Sequence, residues 1–203
     1  MTPYIYIKKE IITGKLTPGT IFNENDVAKT LGVSRTPVRE AVLKLANEGY
    51  LTIIPRKGTI VSNISFNDVK EVYELRYMLE PEIAFKAAGL MDKELCIKWK
   101  EYFTSLLNKK EAMLPFETEE VDVDKLFHLS IANSLNNKLI NKEIDHLMDL
   151  SQRIRYLSNR QNEQRYLSSL QEHIAIVDAI MDGNKDKAML MMKEHLKNTI
   201  EGY

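Results

Sequence analysis

The stretch Asn23 to Tyr50, NENDVAKTLGVSRTPVREAVLKLANEGY, constrains this chain more than any other segment. Val27, Ala28 and Leu31 recur at helical spacing, as do Val38, Ala41, Val42 and Leu45, and the two runs are separated by the tight Leu31-Gly32-Val33 turn. Positions i, i+3, i+4 and i+7 share one face of a helix, so the two runs bury their apolar sides against each other. Ser34 or Thr36 is placed to cap the second helix, Pro37 falls in its first turn where a missing N–H costs little, and Gly49 ends it. Thr36, Arg39, Glu40 and Lys44 then face outward, with Arg35 at the exposed N-terminal corner.

Two short helices with this turn predict a helix-turn-helix, in which the N-terminal end of the second helix enters the major groove of DNA. Arginine at that end can bond two acceptors on guanine or clamp a phosphate. Leu51 to Ile54 reads as a short strand, Pro55-Arg56-Lys57-Gly58 as a turn, and Thr59 to Val61 as a second strand, giving a hairpin wing with a basic tip. A charged helix face is usually only solvated surface. Here spacing, turn, caps and wing all agree. The expected DNA-contacting set is therefore Ser34, Arg35, Thr36, Arg39 and Lys44 on the helix, with Arg56, Lys57 and Gly58 on the wing. Leu43 lies near the outward side of the same helix without a clear role.

Leu16-Thr-Pro-Gly19, Asn25-Asp-Val-Ala28, Gly32-Val-Ser-Arg-Thr-Pro-Val-Arg-Glu-Ala41, Glu48-Gly49 and the Pro55 to Val61 wing resemble the GntR family of bacterial transcription regulators. The N-terminal helix, Tyr4 to Ile12, begins almost at the start of the chain. Phosphate contacts from the longer N-terminal arm of many relatives are therefore not expected.

Charge supports the division of labour. Residues 1 to 62 hold nine Lys/Arg and five Asp/Glu, while the rest holds nineteen and twenty-four, so only the N-terminal part has the sign for DNA. At 203 residues the chain can hold one large or two modest domains and bury a real core. Its single cysteine, Cys96, cannot form an internal disulfide, and no N-terminal apolar run looks like a signal or a membrane span. A soluble cytoplasmic protein with no membrane partner is expected.

Residues 1–62 are read as a winged helix-turn-helix domain, 63–65 as a linker and 66–203 as an all-helical domain, a mainly α fold. Six helical stretches are predicted in the latter: 66–89, 92–111, 117–136, 138–159, 163–182 and 185–201. Pro81 is expected to kink the first, and Met113-Leu-Pro115, Asn136-Asn137 and Asp182-Gly183-Asn184 to break the chain between stretches. The whole reads as one bundle.

That bundle carries polar residues on its apolar faces. Val121, Ile131 and Leu135 define an inward stripe that also holds Asp124 and His128, four residues apart. His173 falls among Leu170, Ile174, Val177 and Ile180, and His195 among Ala188, Met191, Met192 and Thr199. Three of the four histidines thus point inward. Each alone reads most simply as a core residue bonded to a backbone carbonyl. A buried aspartate is costly unless paired, however, and one Asp with three His is a complete ligand set for a divalent transition metal: Zn, Ni, Mn, Co or Fe.

The Asp-x-x-x-His pattern, Phe127, Glu172-His173, Ile176, Ala179-Ile180 and His195-Leu196 resemble the metal-binding subset of the FCD domain. That is the C-terminal ligand-binding domain of the FadR branch of the GntR family. The resemblance implies Asp124, His128, His173 and His195 as metal ligands, and His146 matches no ligand position. Six helices rather than seven look more like the shorter VanR-type subgroup. Arg76, in Leu75-Arg-Tyr-Met-Leu-Glu80, shares a stripe with Val69, Val72, Leu79 and Ile83. In this family the matching arginine often faces the ligand cavity, which makes it a candidate clamp for an effector carboxylate; an i, i+4 pair with Glu80 is the other reading. Arg153 and Arg155 on the fourth helix are within reach of the same cavity, but a solvated face is the simpler reading for them.

The expectation is a ligand-responsive regulator: a homodimer on a palindromic operator, with a metal-anchored small carboxylate as effector. In an alternative the metal itself is the signal. A metal-dependent enzyme is a remote third reading, since no His-Glu-x-x-His, Ser/His/Asp arrangement or glycine-rich phosphate loop accompanies the ligands.

Overall fold

A computed structural model describes residues 1–108, 122–158 and 163–201. The chain forms two compact units: Met1–Asp68 together with Gln152–Leu157, and Val69–Ser151 together with Ser158–Tyr203.

In the first unit, helix α1 (Pro3–Ile12) is capped by Thr2, whose side chain accepts from the Ile5 N–H, and buries Ile7, Ile11 and Ile12. Helix α2 (Glu24–Leu31) starts at Asn23, whose side chain accepts from the Asn25 N–H, and ends at Gly32. Gly32 has φ 64°, the left-handed region that a side chain disfavours, and this is what allows so tight a turn. Helix α3 (Arg35–Asn47) buries Val38, Ala41, Val42 and Leu45 as their spacing requires.

The capping expectation fails at α3. Ser34 is the N-cap residue but makes no side-chain cap hydrogen bond, and Thr36 lies inside the helix. An N-cap side chain bonds the amide of the second or third helical residue. Here the third is Pro37, which has no N–H.

Strands β2 (Leu51–Ile54) and β3 (Gly58–Val61) form the antiparallel wing, pairing Leu51 with Val61 and Ile54 with Gly58. A third strand, β1 (Ile21–Phe22), pairs with the other edge of β3, giving the order β1-β3-β2. Two residues are too few to show period-2 alternation, which is why β1 is not legible beforehand. The core holds Ile7, Ile11, Val38, Leu45, Tyr50 and Val61, all essentially inaccessible to solvent.

Arg153 belongs to this unit and is not on a solvated face. It is 2% exposed. Its Nη2 donates to the Ser62 carbonyl, and its guanidinium lies 5.9 Å from the Tyr50 ring centre. Burial lowers its pKa, with Tyr50 and Asp68 acting in the opposite direction. Partners about a hundred residues away in sequence give helix periodicity nothing to report. Arg155 is half-buried.

The second unit is helical among its described residues: α4 (Phe66–Ala87), α5 (Lys93–Asn108), α6 (Val123–Asn133), α7 (Lys138–Ser158), α8 (Glu163–Met181) and α9 (Lys185–Glu201), of which residues 66–68 of α4 and 152–157 of α7 belong to the first unit. Pro81 stands buried inside a continuous α4. Asn136, at φ 50°, marks the break before α7. The expected break at Met113-Leu-Pro115, and Val121, lie outside the described residues. Among the described residues no helix is long and apolar enough to cross a membrane.

Candidate functional site

Two sets of side chains stand out. On α3, Arg35, Thr36 and Arg39 are exposed at the N-terminal end, with Ser34 exposed just before it. Arg35 and Arg39 are one helical turn apart, so they present two guanidinium groups on one side of the helix. Lys44, further along, is exposed and places Nζ 3.9 Å above the Tyr4 ring centre, while the Tyr4 hydroxyl donates to Glu48. Lys44 therefore has a partner within the protein. Leu43 is exposed beside it. At the wing tip Arg56, Lys57 and Gly58 are exposed, and Arg56 adopts φ 63° to make the turn.

The second set lies inside the helical unit. α6 supplies Asp124 and His128, α8 supplies His173 and α9 supplies His195; one ligand atom from each falls within 4.8 Å of all the others. The three imidazoles are buried, and Asp124 is half-buried. The separation of four residues puts Asp124 and His128 one above the other on α6, while inward stripes on α8 and α9 bring the other two rings to meet them. His173 and His195 ring centres are 4.6 Å apart, and those of His128 and His195 5.3 Å. His146 is not in the group.

Hydrogen bonding around the cluster is incomplete in an informative way. Nε2 of His128 and both ring nitrogens of His173 are buried with no hydrogen-bond partner among the described residues. Asp124 Oδ1 stands 3.6 Å from His128 Nε2 and 3.4 Å from His173 Nε2, beyond the roughly 3.2 Å reach of a good N–H···O bond. Native interiors seldom leave buried ring nitrogens unpaired. Nitrogen lone pairs facing a carboxylate at this spacing fit a divalent cation between them.

Burial pushes the pKa of His173 down and that of His195 down to about 3, although the nearby Asp124 carboxylate and the hydrogen bond to Glu172 respectively oppose it. Both imidazoles are thus held neutral at pH 7, the form that ligates a metal. Below pH 6.5 the unfolded chain protonates these rings while the fold resists, so stability falls with falling pH until the folded pKa is reached. Each group contributes a slope of about 1.4 kcal/mol per pH unit in that window. The unfolding midpoint of metal-free protein is expected to drop steadily from pH 7 to pH 5; a flat midpoint would count against buried neutral histidines.

Two carboxylates not singled out as site residues flank the cluster. Glu80, on α4, contacts Nδ1 of His128, and Glu172, on α8, contacts Nδ1 of His195 at 2.8 Å. Burial works against both charges, but Arg76 and His128 hold Glu80 at about 2, and His195, Arg165 and Asn198 hold Glu172 at about 2. Arg76 is itself 1% exposed and is engaged: Nε and Nη2 donate to Glu80, and Nη1 donates to Ser151 Oγ at 3.1 Å. Of its two readings the structure has the ion pair with Glu80. A usable sign was present, since Glu80 follows Arg76 by four residues on one inward stripe.

Comparison with known proteins accords with both halves. Residues 4–61 match the family described as bacterial regulatory proteins, gntR family, and residues 71–198 match the FCD domain. The HTH-type transcriptional regulator YdhC of Bacillus subtilis (strain 168) is 30% identical over 98% of this chain and 91% of its own length. The HTH-type transcriptional repressor RspR of Escherichia coli (strain K12) is 27% identical over 98% of this chain and 86% of its own. Among solved structures, E. coli McbR/YncC superposes with a TM-score of 0.82 at 22% identity, covering 98% of this chain and 93% of that one, which speaks to the fold. With a winged helix-turn-helix of one family joined to a helical domain of the other, this chain belongs to the GntR family of bacterial transcription regulators, in its FCD-containing branch.

Proposed function

We propose that this DNA-binding regulator responds to a small carboxylate effector, and that its helical domain holds one divalent metal ion between Asp124, His128, His173 and His195. The observation that carries the metal is the set of buried, unpartnered ring nitrogens converging on Asp124. Zn, Ni, Mn, Co and Fe all accept this mixed imidazole and carboxylate set. When bound, the ion supplies a concentrated positive charge on which an anionic effector can anchor.

DNA reading falls to the exposed α3 terminus and wing: Arg35 and Arg39 to base edges or phosphates, Ser34, Thr36 and Lys44 beside them, and Arg56, Lys57 and Gly58 along the backbone. A homodimer in the cytoplasm would set two such helices on a palindromic operator. RspR is named a repressor, and repression is the sense proposed here. The chain acts as a regulator and not as an enzyme. An effector changes operator affinity only by as much as it binds the two arrangements of the protein differently.

The test is thermal unfolding of chelator-stripped protein, re-titrated with Zn, Ni, Mn and Co and then with a panel of small mono-, di- and hydroxy-carboxylates. A ligand at a hundredfold excess over its dissociation constant stabilises by about 2.7 kcal/mol. Metal is expected to raise the midpoint, and one carboxylate to raise it further only when metal is present. Stabilisation by metal alone would make the metal the signal, and no stabilisation by any metal would remove the centre.

A further inference from the structure

We infer that Glu80 and Glu172 are positioning residues for the metal centre, each held by an arginine and each orienting one ligand imidazole through its Nδ1. The inference rests on the metal reading above and goes beyond it by assigning residues that touch no ligand atom of the ion.

The two assemblies are built alike from different helices. In the first, Arg76 and Glu80 on α4 meet His128 on α6: the guanidinium donates from Nε to Glu80 Oε1 and from Nη2 to Oε2, and Oε2 also contacts His128 Nδ1. In the second, Arg165 on α8 donates from Nη1 and Nη2 to the two oxygens of Glu172, each at 2.9 Å, and Glu172 Oε2 lies 2.8 Å from His195 Nδ1 on α9. Asn198 Nδ2 donates to Glu172 Oε1 at 2.8 Å, and Arg165 Nη2 also donates to Thr199 Oγ1 at 2.9 Å. Each carboxylate is thereby fixed before it acts on a ring.

The consequence for the imidazole is chemical. A carboxylate at Nδ1 accepts the proton carried there, which leaves the lone pair on Nε2, stops the ring rotating and raises its donor strength. Nε2 of His128 is the atom found buried, unpartnered and facing Asp124. An i, i+4 pair made only for helix stability would sit in water, where it is cheap. Arg76–Glu80 is instead nearly inaccessible to solvent, an arrangement that costs desolvation and is compensated only if the carboxylate's remaining lone pairs are also used, as His128 Nδ1 does at Oε2. His173 is the exception among the three. Its Nδ1 has no hydrogen-bond partner among the described residues, and its ring packs with Phe103 at 5.0 Å and Phe127 at 4.7 Å. Two ligand rings are therefore set by hydrogen bonds and the third by aromatic packing.

Glu80→Gln alone would leave the Arg76 charge buried and unpaired, so the test uses Arg76→Met/Glu80→Gln, which removes both charges, and separately Glu172→Gln at the more exposed pair. Chelator-stripped full-length wild type and variants are titrated with Co(II), read as affinity by competition and as the visible absorption spectrum, beside the unfolding midpoint without metal. Both variants are expected to bind Co(II) about 10–100-fold more weakly with an altered spectrum. A purely structural role would shift only the metal-free midpoint. Wild-type affinity and spectrum in both variants would overturn the inference while leaving the metal centre in place; if wild type itself binds no Co(II), the centre and the inference fall together. Should the double variant fail to fold, Glu172→Gln decides: weakened Co(II) binding supports the inference, and wild-type affinity overturns it.

Discussion

Replacing Arg35 and Arg39 together by alanine is expected to weaken operator binding by roughly 2–6 kcal/mol, taking about 1–3 kcal/mol for each arginine that reads a base. Both stand exposed at the N-terminal end of α3, one turn apart, and α3 is seated on the unit's core by Val38, Val42 and Leu45, so truncating them should leave the fold intact. Fluorescence anisotropy on an operator obtained by selection, and on a shuffled duplex, separates two roles. A loss confined to the operator identifies base readout. An equal loss on both sequences, with a shallower salt dependence, would reassign the arginines to phosphates.

His173→Ala is expected to cost on the order of 4 kcal/mol of metal affinity, about a thousandfold, because it removes one of four donors from a site whose whole binding energy in comparable structural centres is about 10–16 kcal/mol. The metal-dependent rise in unfolding midpoint should disappear. Non-specific DNA affinity should persist, since His173 belongs to the helical unit and the exposed arginines to the winged one. Metal content measured by mass spectrometry after gel filtration reports directly. A variant that retains one equivalent would show that the four donors are not the ligands.

How much of this could be read from the residues alone depends on sequence distance. The α2-turn-α3 motif and the wing are local: their periodicity, Gly32 and the strand-forming runs sit within a few residues of their partners, and the structure places them where expected. Asp124 and His128 share one helix at i, i+4, and His173 and His195 each interrupt an apolar stripe, so all four were visible as inward-facing residues before they could be seen to meet. What was hidden depended on distant or very short features. β1 has two residues, and Ser34 makes no cap bond, the third helical position being a proline without an N–H. Glu80 reaches His128 and Arg153 reaches Ser62 across long intervals of chain, and such contacts leave no periodic trace. Arg76 lies on an inward stripe as its spacing predicts, but the direction of its guanidinium, toward Glu80 and Ser151, is a matter of tertiary packing.

X-ray absorption at the metal edge of the zinc-loaded protein tests the central claim most directly. With Asp124, His128, His173 and His195 as ligands, the first shell is expected to contain only nitrogen and oxygen near about 2.0–2.2 Å, with multiple scattering from three imidazole rings. An all-oxygen shell, a sulfur scatterer, or zinc that does not survive gel filtration would contradict it.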